Sequence, residues 1–229
     1  MQEFVVDLIA EIVTNYDIDG IQLDDHFGLP VELGYDPYTV QLYRMEHSGG
    51  SPPDNPSDPE WIRWRANKIT GVMARVFAAV KGRKPHVIMA LSPNPQAFAY
   101  RNYLQDWFNW ERRGFVEELI LQVYRNDLRW FIQELKREEV QIAITHIPVA
   151  VGILTGLKNR PVETEQIQEQ VQAVRSTGLA GVSFFFYETL WNLTPEKPAE
   201  RQAAFRDMFP LPAARPSLLN CWNRPDLNE

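Results

Sequence analysis

Hydrophobic residues at Phe4, Leu8, Ile9, Ile12 and Val13 recur at helical spacing and predict a helix over residues 2–14. The period then changes. "DGIQL" reads as a short strand that runs straight into Asp24 and Asp25. Residues 28–58 have no sustained periodicity and are rich in Gly, Pro, Asp and Ser ("HSGGSPPDNPSDP"), which predicts a long loop. Asp58-Pro59-Glu60 joins a capping acid to a proline at the first helical position, so a helix is expected from there to about Lys81. "HVIMALSP" predicts a second strand. Residues 103–113 predict a helix stopped by Gly114. "ELILQVYR" is a third strand, and Asn126-Asp127 opens a helix that runs to about 138. "QIAITHIP" reads as a fourth strand. Ile167, Val171 and Val174 share one face of a helix over 163–177, and "AGVSFFFYETLW" is a fifth strand. From Pro210 the chain is proline-rich and an irregular tail is expected over 210–229, which leaves 1–209 as one folded region.

The elements alternate, with helices between successive strands, and the strands are continuously apolar. That pattern belongs to a parallel sheet covered on both faces, with right-handed crossovers. An open doubly wound sheet and a (β/α)8 barrel both satisfy it. No glycine-rich phosphate loop follows any strand, which weakens the nucleotide-binding open sheet. Polar residues gather where the strands end: Asp24, Asp25 and His26; Ser92 and Asn94; Gln122, Tyr124 and Arg125; Thr145 and His146; Tyr187 and Glu188. Chemistry at strand ends favours the barrel. A barrel has eight strands and the pattern supplies five, so the fold class expected is α/β, a partial (β/α)8 TIM barrel of about five βα units.

Composition narrows the function. A formal net charge of -7 argues against nucleic acid or an anionic membrane surface as the main partner. The single cysteine, Cys221, excludes an intrachain disulfide, and no Cys/His zinc spacing is present. The opening "MQEFVVDLIAEIV" carries acids where a signal peptide needs a basic region, so no signal peptide is seen and localisation stays open. No apolar run is long enough to span a bilayer.

The first strand holds the sharpest chemical signal. In "DGIQLDDHF", Ile21 and Leu23 share one face, while Gln22, Asp24 and, by continuation, His26 share the other. Asp24 is then best placed to project into a site, and Asp25 faces the helix layer or turns out with the loop. The structural alternative is that one aspartate caps the following turn while the other pairs with an arginine. Asp127 reads as a helix cap rather than a site acid, and Asp106 as a solvated acid within a helix.

The chain resembles the glycosyl hydrolase-like 10 family of bacterial envelope proteins. The resemblance rests on "YDIDGIQLDDHF", on "SP" ending the second strand, on "DWFNWERRGFVEELILQVY" and on "GVSFFFYETLW", across roughly residues 1–209. It implies a (β/α)8 barrel of which these are the fourth to eighth strands. It also implies hydrolysis of glycans such as peptide-free peptidoglycan, in the cell envelope or outside the cell. The fourth strand of chitinases, D-G-x-D-x-D-x-E, is a more distant likeness. Asp19-Gly20 and Asp24 match it, Gln22 replaces one inner acid, and His26 stands where the catalytic Glu would be. "QVY" is similar to the chitinase M-x-Y and implies a place for Tyr124 near the reaction centre.

Glycoside hydrolysis generally uses two carboxyl groups. Asp24 is one candidate, Glu188 the leading second, and Asp25 the third. Gln22, His26, Asn94, Gln122, Tyr124, His146, Tyr187 and Trp191 are the candidate substrate-binding residues, with the three aromatics as stacking surfaces. No cofactor and no metal is expected. A metal-dependent barrel hydrolase, with Asp24, Glu188, His26 and His146 around a divalent ion, is the rival enzyme class, but no local ligand spacing supports it. A non-catalytic glycan-binding or truncated remnant is the other alternative. The partner expected is a glycan, with a further barrel segment or a partner chain beside the first strand.

Overall fold

Residues 2–215 are described by the computed structural model, and the remainder of the tail, Cys221 included, lies outside the described residues. The chain divides into two units between Val116 and Glu117. In the first, α1 (Gln2–Asn15) leads to β1 (Gly20–Asp24), α2 (Pro37–Glu46), α3 (Pro59–Arg83), β2 (Ile88–Ser92), α4 (Gln96–Tyr103) and α5 (Trp107–Arg112). β1 and β2 run parallel, in register from Gly20 opposite Ile88 to Asp24 opposite Ser92. Ile9, Ala10 and Val13 of α1 are buried, as are Met73, Val76 and Val80 of α3, and the two helices pack together.

The second unit contains β3 (Glu118–Gln122), α6 (Leu128–Leu135), α7 (Glu138–Ala143), β4 (Val149–Leu154), β5 (Gly156–Leu157), β6 (Arg160–Pro161), α8 (Thr164–Ser176), β7 (Gly181–Phe185), α9 (Tyr187–Trp191) and α10 (Pro198–Met208). β3 and β7 pair with β4, both in parallel, while β5 and β6 form a small antiparallel hairpin. The five long strands and their helices give the α/β class expected, that of part of a (β/α)8 barrel. β4 is almost wholly buried, as a strand covered on both faces must be. β1 pairs with β2 and with no other described strand, and none of its residues is fully buried.

Several expectations are corrected. The loop over 28–58 contains α2, which starts at Pro37 behind an N-cap. Asp36 there accepts from both the amide and the hydroxyl of Thr39, and those bonds hold its carboxyl below the ordinary aspartate range. The helix expected over 103–113 is only α5, and an unexpected helix, α4, precedes it and ends at Leu104, whose backbone is left-handed. "QIAITHIP" is not a strand. Its first residues finish α7, and the strand is the next apolar run, Val149–Leu154. Strand β7 stops at Phe185, so Tyr187, Glu188 and Trp191 belong to helix α9. Asp106 is a half-buried residue at the start of α5, not a solvated acid within a helix.

One side chain ties together three points of the segment between β1 and α3. Arg65 of α3 is 3% exposed and stacks on Trp61. Its guanidinium donates to the carbonyls of Val31, Leu33 and Pro56. Three parts of one loop thus converge on a planar fork of donors that a lysine cannot reproduce. Arg65→Met is expected to lower unfolding free energy by about 2–4 kcal/mol, less than the sum of three charged hydrogen bonds at about 1.5–3 kcal/mol each, because loop carbonyls freed of their donor can turn to water. Urea denaturation of the two proteins measures this.

Candidate functional site

The alternating apolar residues Ile21 and Leu23 fix β1, and the chain turns as soon as it reaches the acids. Phe27 donates its amide to the carbonyl of Asp24 at 3.1 Å, closing a turn over Asp24, Asp25, His26 and Phe27. Alternation holds along β1. Gln22 and Asp24 are exposed, while Ile21 and Leu23 are half-buried. The carboxylate of Asp24 also accepts from the amide of His26 at 2.9 Å, so it caps its own turn.

The turn draws three ionisable groups together. The His26 Nδ1 lies 3.3 Å from Asp24 Oδ2 and 3.2 Å from Asp25 Oδ1. Asp25 leans the other way as well, accepting from Asn94 Nδ2 at 2.9 Å. Asn94 follows the end of β2 and is fixed through its carbonyl, which accepts from the indole of Trp107 at 3.0 Å. The side chain of Asp24 is 54% exposed and that of Asp25 is 28% exposed, so Asp24 is the more accessible acid.

The hydrogen bond to Asp24 and the charge of Asp25 raise the pKa of His26 above its ordinary value. Its imidazole should therefore titrate above about 6.5, the value of a free histidine side chain, and NMR titration of its ring protons reads this directly. The sign carries over to stability. A raised histidine pKa favours the folded state below the unfolded pKa, and that contribution fades as pH rises through the folded pKa. His26 is almost fully exposed, so the effect on stability is small.

In the second unit, Gln122 ends β3 and Tyr124 follows it. The Tyr124 ring stacks on Phe185 at the end of β7, with centroids 5.6 Å apart and planes 21° apart. Phe185 is 48% exposed and Tyr187 is 72% exposed, so this end of the strands presents aromatic faces. Glu188 sits in the first turn of α9, exposed, accepting from Asn192 Nδ2 at 2.9 Å. The Trp191 ring packs edge-on against Phe205 of α10.

His146 is placed elsewhere. It lies in the turn before β4, at the start of a strand whose parallel neighbour β7 ends just before Glu188. Five or six residues at about 3.3 Å each separate the two ends of such a strand. His146 therefore does not join Tyr124 and Glu188 at the strand ends, and the metal set that paired it with Glu188 does not form. Asp24, Asp25 and His26 do bring potential ligand atoms within 4.8 Å of one another, but clustered exposed acids alone do not define a metal site.

Two residues that matter for this geometry were not among the sequence candidates. Phe185 appeared only as part of an apolar strand. Gln105 appeared only as part of a helix, yet it is fully buried beneath the acid turn. Asp106, next to it, has its carboxyl raised above the ordinary range by burial, against the opposing bond from Gln96.

A family model described as "Glycosyl hydrolase-like 10" matches residues 1–174. Glycosyl hydrolase DigH of Escherichia coli K12 is 28% identical over 142 residues, covering 59% of this chain and 28% of that protein. Glycosyl hydrolase YngK of Bacillus subtilis 168 is 23% identical and covers 95% of this chain and 46% of its own length. The chain thus spans less than half the length of these curated relatives. Among solved structures, the glycoside hydrolase domain of PgaB (BpsB) from Bordetella bronchiseptica superposes with a TM-score of 0.66 at 12% identity, over 90% of this chain and 60% of that one. The catalytic domain of a Paenibacillus polymyxa β-amylase gives 0.62 at 9% identity, over 91% and 68%. Both are TIM-barrel glycoside hydrolases, and at these identities the likeness speaks for the fold.

Proposed function

Because this chain belongs to the glycosyl hydrolase-like 10 family, we propose that it takes part in hydrolysing O-glycosidic bonds of N-acetylated glycans such as those of bacterial cell walls. The observation that carries the reading is the turn at the end of β1, which holds Asp24 and Asp25 each within hydrogen-bond reach of His26. Asp24 is the accessible carboxylate of that turn. In a retaining scheme it attacks the anomeric carbon. In a substrate-assisted scheme it orients an N-acetyl group that attacks instead. Either role puts negative charge beside an oxocarbenium-like transition state. Asp25, tied to Asn94, supports that charge.

The strand ends of the second unit suit sugar rings. Tyr124, Phe185 and Tyr187 offer flat apolar faces, which stack against the C–H face of a pyranose. Such a surface also favours a second reading, in which the chain holds a glycan without cleaving it. Incubation with peptide-free peptidoglycan and with chitin oligomers separates the two. Mass spectrometry showing new reducing ends supports hydrolysis. Saturable binding with no product supports the second reading, and neither binding nor product on either glycan refutes both.

A further inference from the structure

The acid turn is held from below by one buried amide. Gln105 has no exposed surface, and its Nε2 donates to two carbonyls, that of Asp24 at 2.9 Å and that of Phe27 at 3.2 Å. Those are the first and last residues of the turn that carries Asp24, Asp25 and His26. Both contacts are to acceptors, so the nitrogen of the amide must face them. The amide oxygen then has no hydrogen-bond partner although it is buried. An unpaired buried acceptor is a cost to folding, and an apolar side chain of the same size would avoid it.

The surroundings tighten the same turn. Leu104 bends the chain between α4 and α5 so that Gln105 enters the interior. Leu29 and Val31 donate their amides to the carbonyls of Tyr103 and Asn102, at 2.9 and 2.8 Å, and so dock the strand of chain that leaves the turn. Gly28 lies so close that an added Cβ would stand 2.5 Å from the Tyr103 carbonyl. Trp107 binds the carbonyl of Asn94, which in turn holds Asp25.

We propose that Gln105 is a positioning residue, which fixes both ends of the Asp24–Phe27 turn and thereby sets the orientation of the two carboxylates for glycan hydrolysis. The hydrolytic role rests on the function proposed above, but the effect on the turn does not. Gln105 touches no reacting atom in this scheme, and it acts through the main chain that carries the acids.

The test uses the full 229-residue chain and two variants. Gln105→Met keeps the volume and removes the donor. Gln105→Asn keeps a donor on a shorter arm that cannot bridge both carbonyls. Circular dichroism first establishes folding. NMR titration then follows His26, whose charged neighbours are Asp24 and Asp25. Kinetics follow the glycan that the unaltered chain cleaves. In Gln105→Met the His26 titration should fall back toward about 6.5, and kcat should fall about tenfold or more with KM within about twofold. Gln105→Asn should lie between the two.

A folded Gln105→Met with His26 and kcat both unmoved would overturn the proposal, and so would a shifted His26 with unaltered kcat. If neither variant folds, the residue serves the fold alone and the proposal is also overturned. Should Gln105→Met alone fail to fold, the same readouts on Gln105→Asn decide in the same way. Where the unaltered chain cleaves no glycan, the hydrolytic reading falls. A His26 titration that still shifts then supports the hold on the turn, and one that does not overturns it.

Discussion

Asp24→Asn is expected to lower kcat by about two to four orders of magnitude, the range for a positioned acid, base or nucleophile. The change is nearly isosteric. The side-chain oxygen that accepts from the His26 amide can remain, so the turn should persist while its charge is lost. That charge matters most when positive charge develops on the sugar, so KM should move far less than kcat. Asp25→Asn should act differently. Asp25 is half-buried and bonded to Asn94, so the substitution sets an amide against an amide and mainly loosens the turn. The measurement is steady-state turnover of both variants after folding is confirmed. If Asp25→Asn is the dead variant and Asp24→Asn keeps most of its rate, the reacting carboxylate is the one held by Asn94.

Joining this chain to the additional length of a longer relative such as YngK is expected to raise turnover about a hundredfold. Among the described residues β1 has one strand neighbour, and Ile21 and Leu23 on it are only half-covered. Phe4 and Leu8 on α1 are exposed at 69% and 49%. The PgaB glycoside hydrolase domain extends well beyond the part that this chain covers. A strand and helix laid along β1 would bury this surface and stiffen the strand that ends in the acids. A misplacement of about 1 Å can cost about a hundredfold in rate, which sets the size of the effect. Comparing kcat/KM of the two forms on one glycan tests it, and equal values would show that the added units are dispensable.

The α/β alternation was legible because it rests on period, which survives without tertiary context. The acid turn was legible for the same reason, since alternation along the strand sorts Gln22 and Asp24 from Ile21 and Leu23. The fourth strand was misread because "QIAITHIP" alternates like a half-buried strand, whereas a fully buried parallel strand does not alternate. "VAVGIL" has the continuous apolar run that such a strand needs. That one slip carried His146 to the wrong end of the sheet. α2 was hidden by flanking glycines and prolines, although Asp36-Pro37 is the same start signal that revealed α3. Gln105 could not be found from local pattern at all. It meets Asp24 across 81 positions of chain, and a buried glutamine on a short helix-to-helix link has no periodic signature.

Leu104 sits at φ 57°, ψ 22°, in the left-handed region, and has no exposed surface. That backbone costs a non-glycine residue about 1–2 kcal/mol. Glycine would relieve it but would leave a hole, and truncating a buried leucine costs about 2–5 kcal/mol. The hole is the more expensive of the two, so the bend between α4 and α5 is wedged by apolar volume against the preference of its own backbone. A wedge of that kind has no stability of its own once its surroundings loosen. On heating, the bend should give way together with the tryptophan-rich interior around Trp107 and Trp110, in one transition, rather than fraying first as an exposed hinge would.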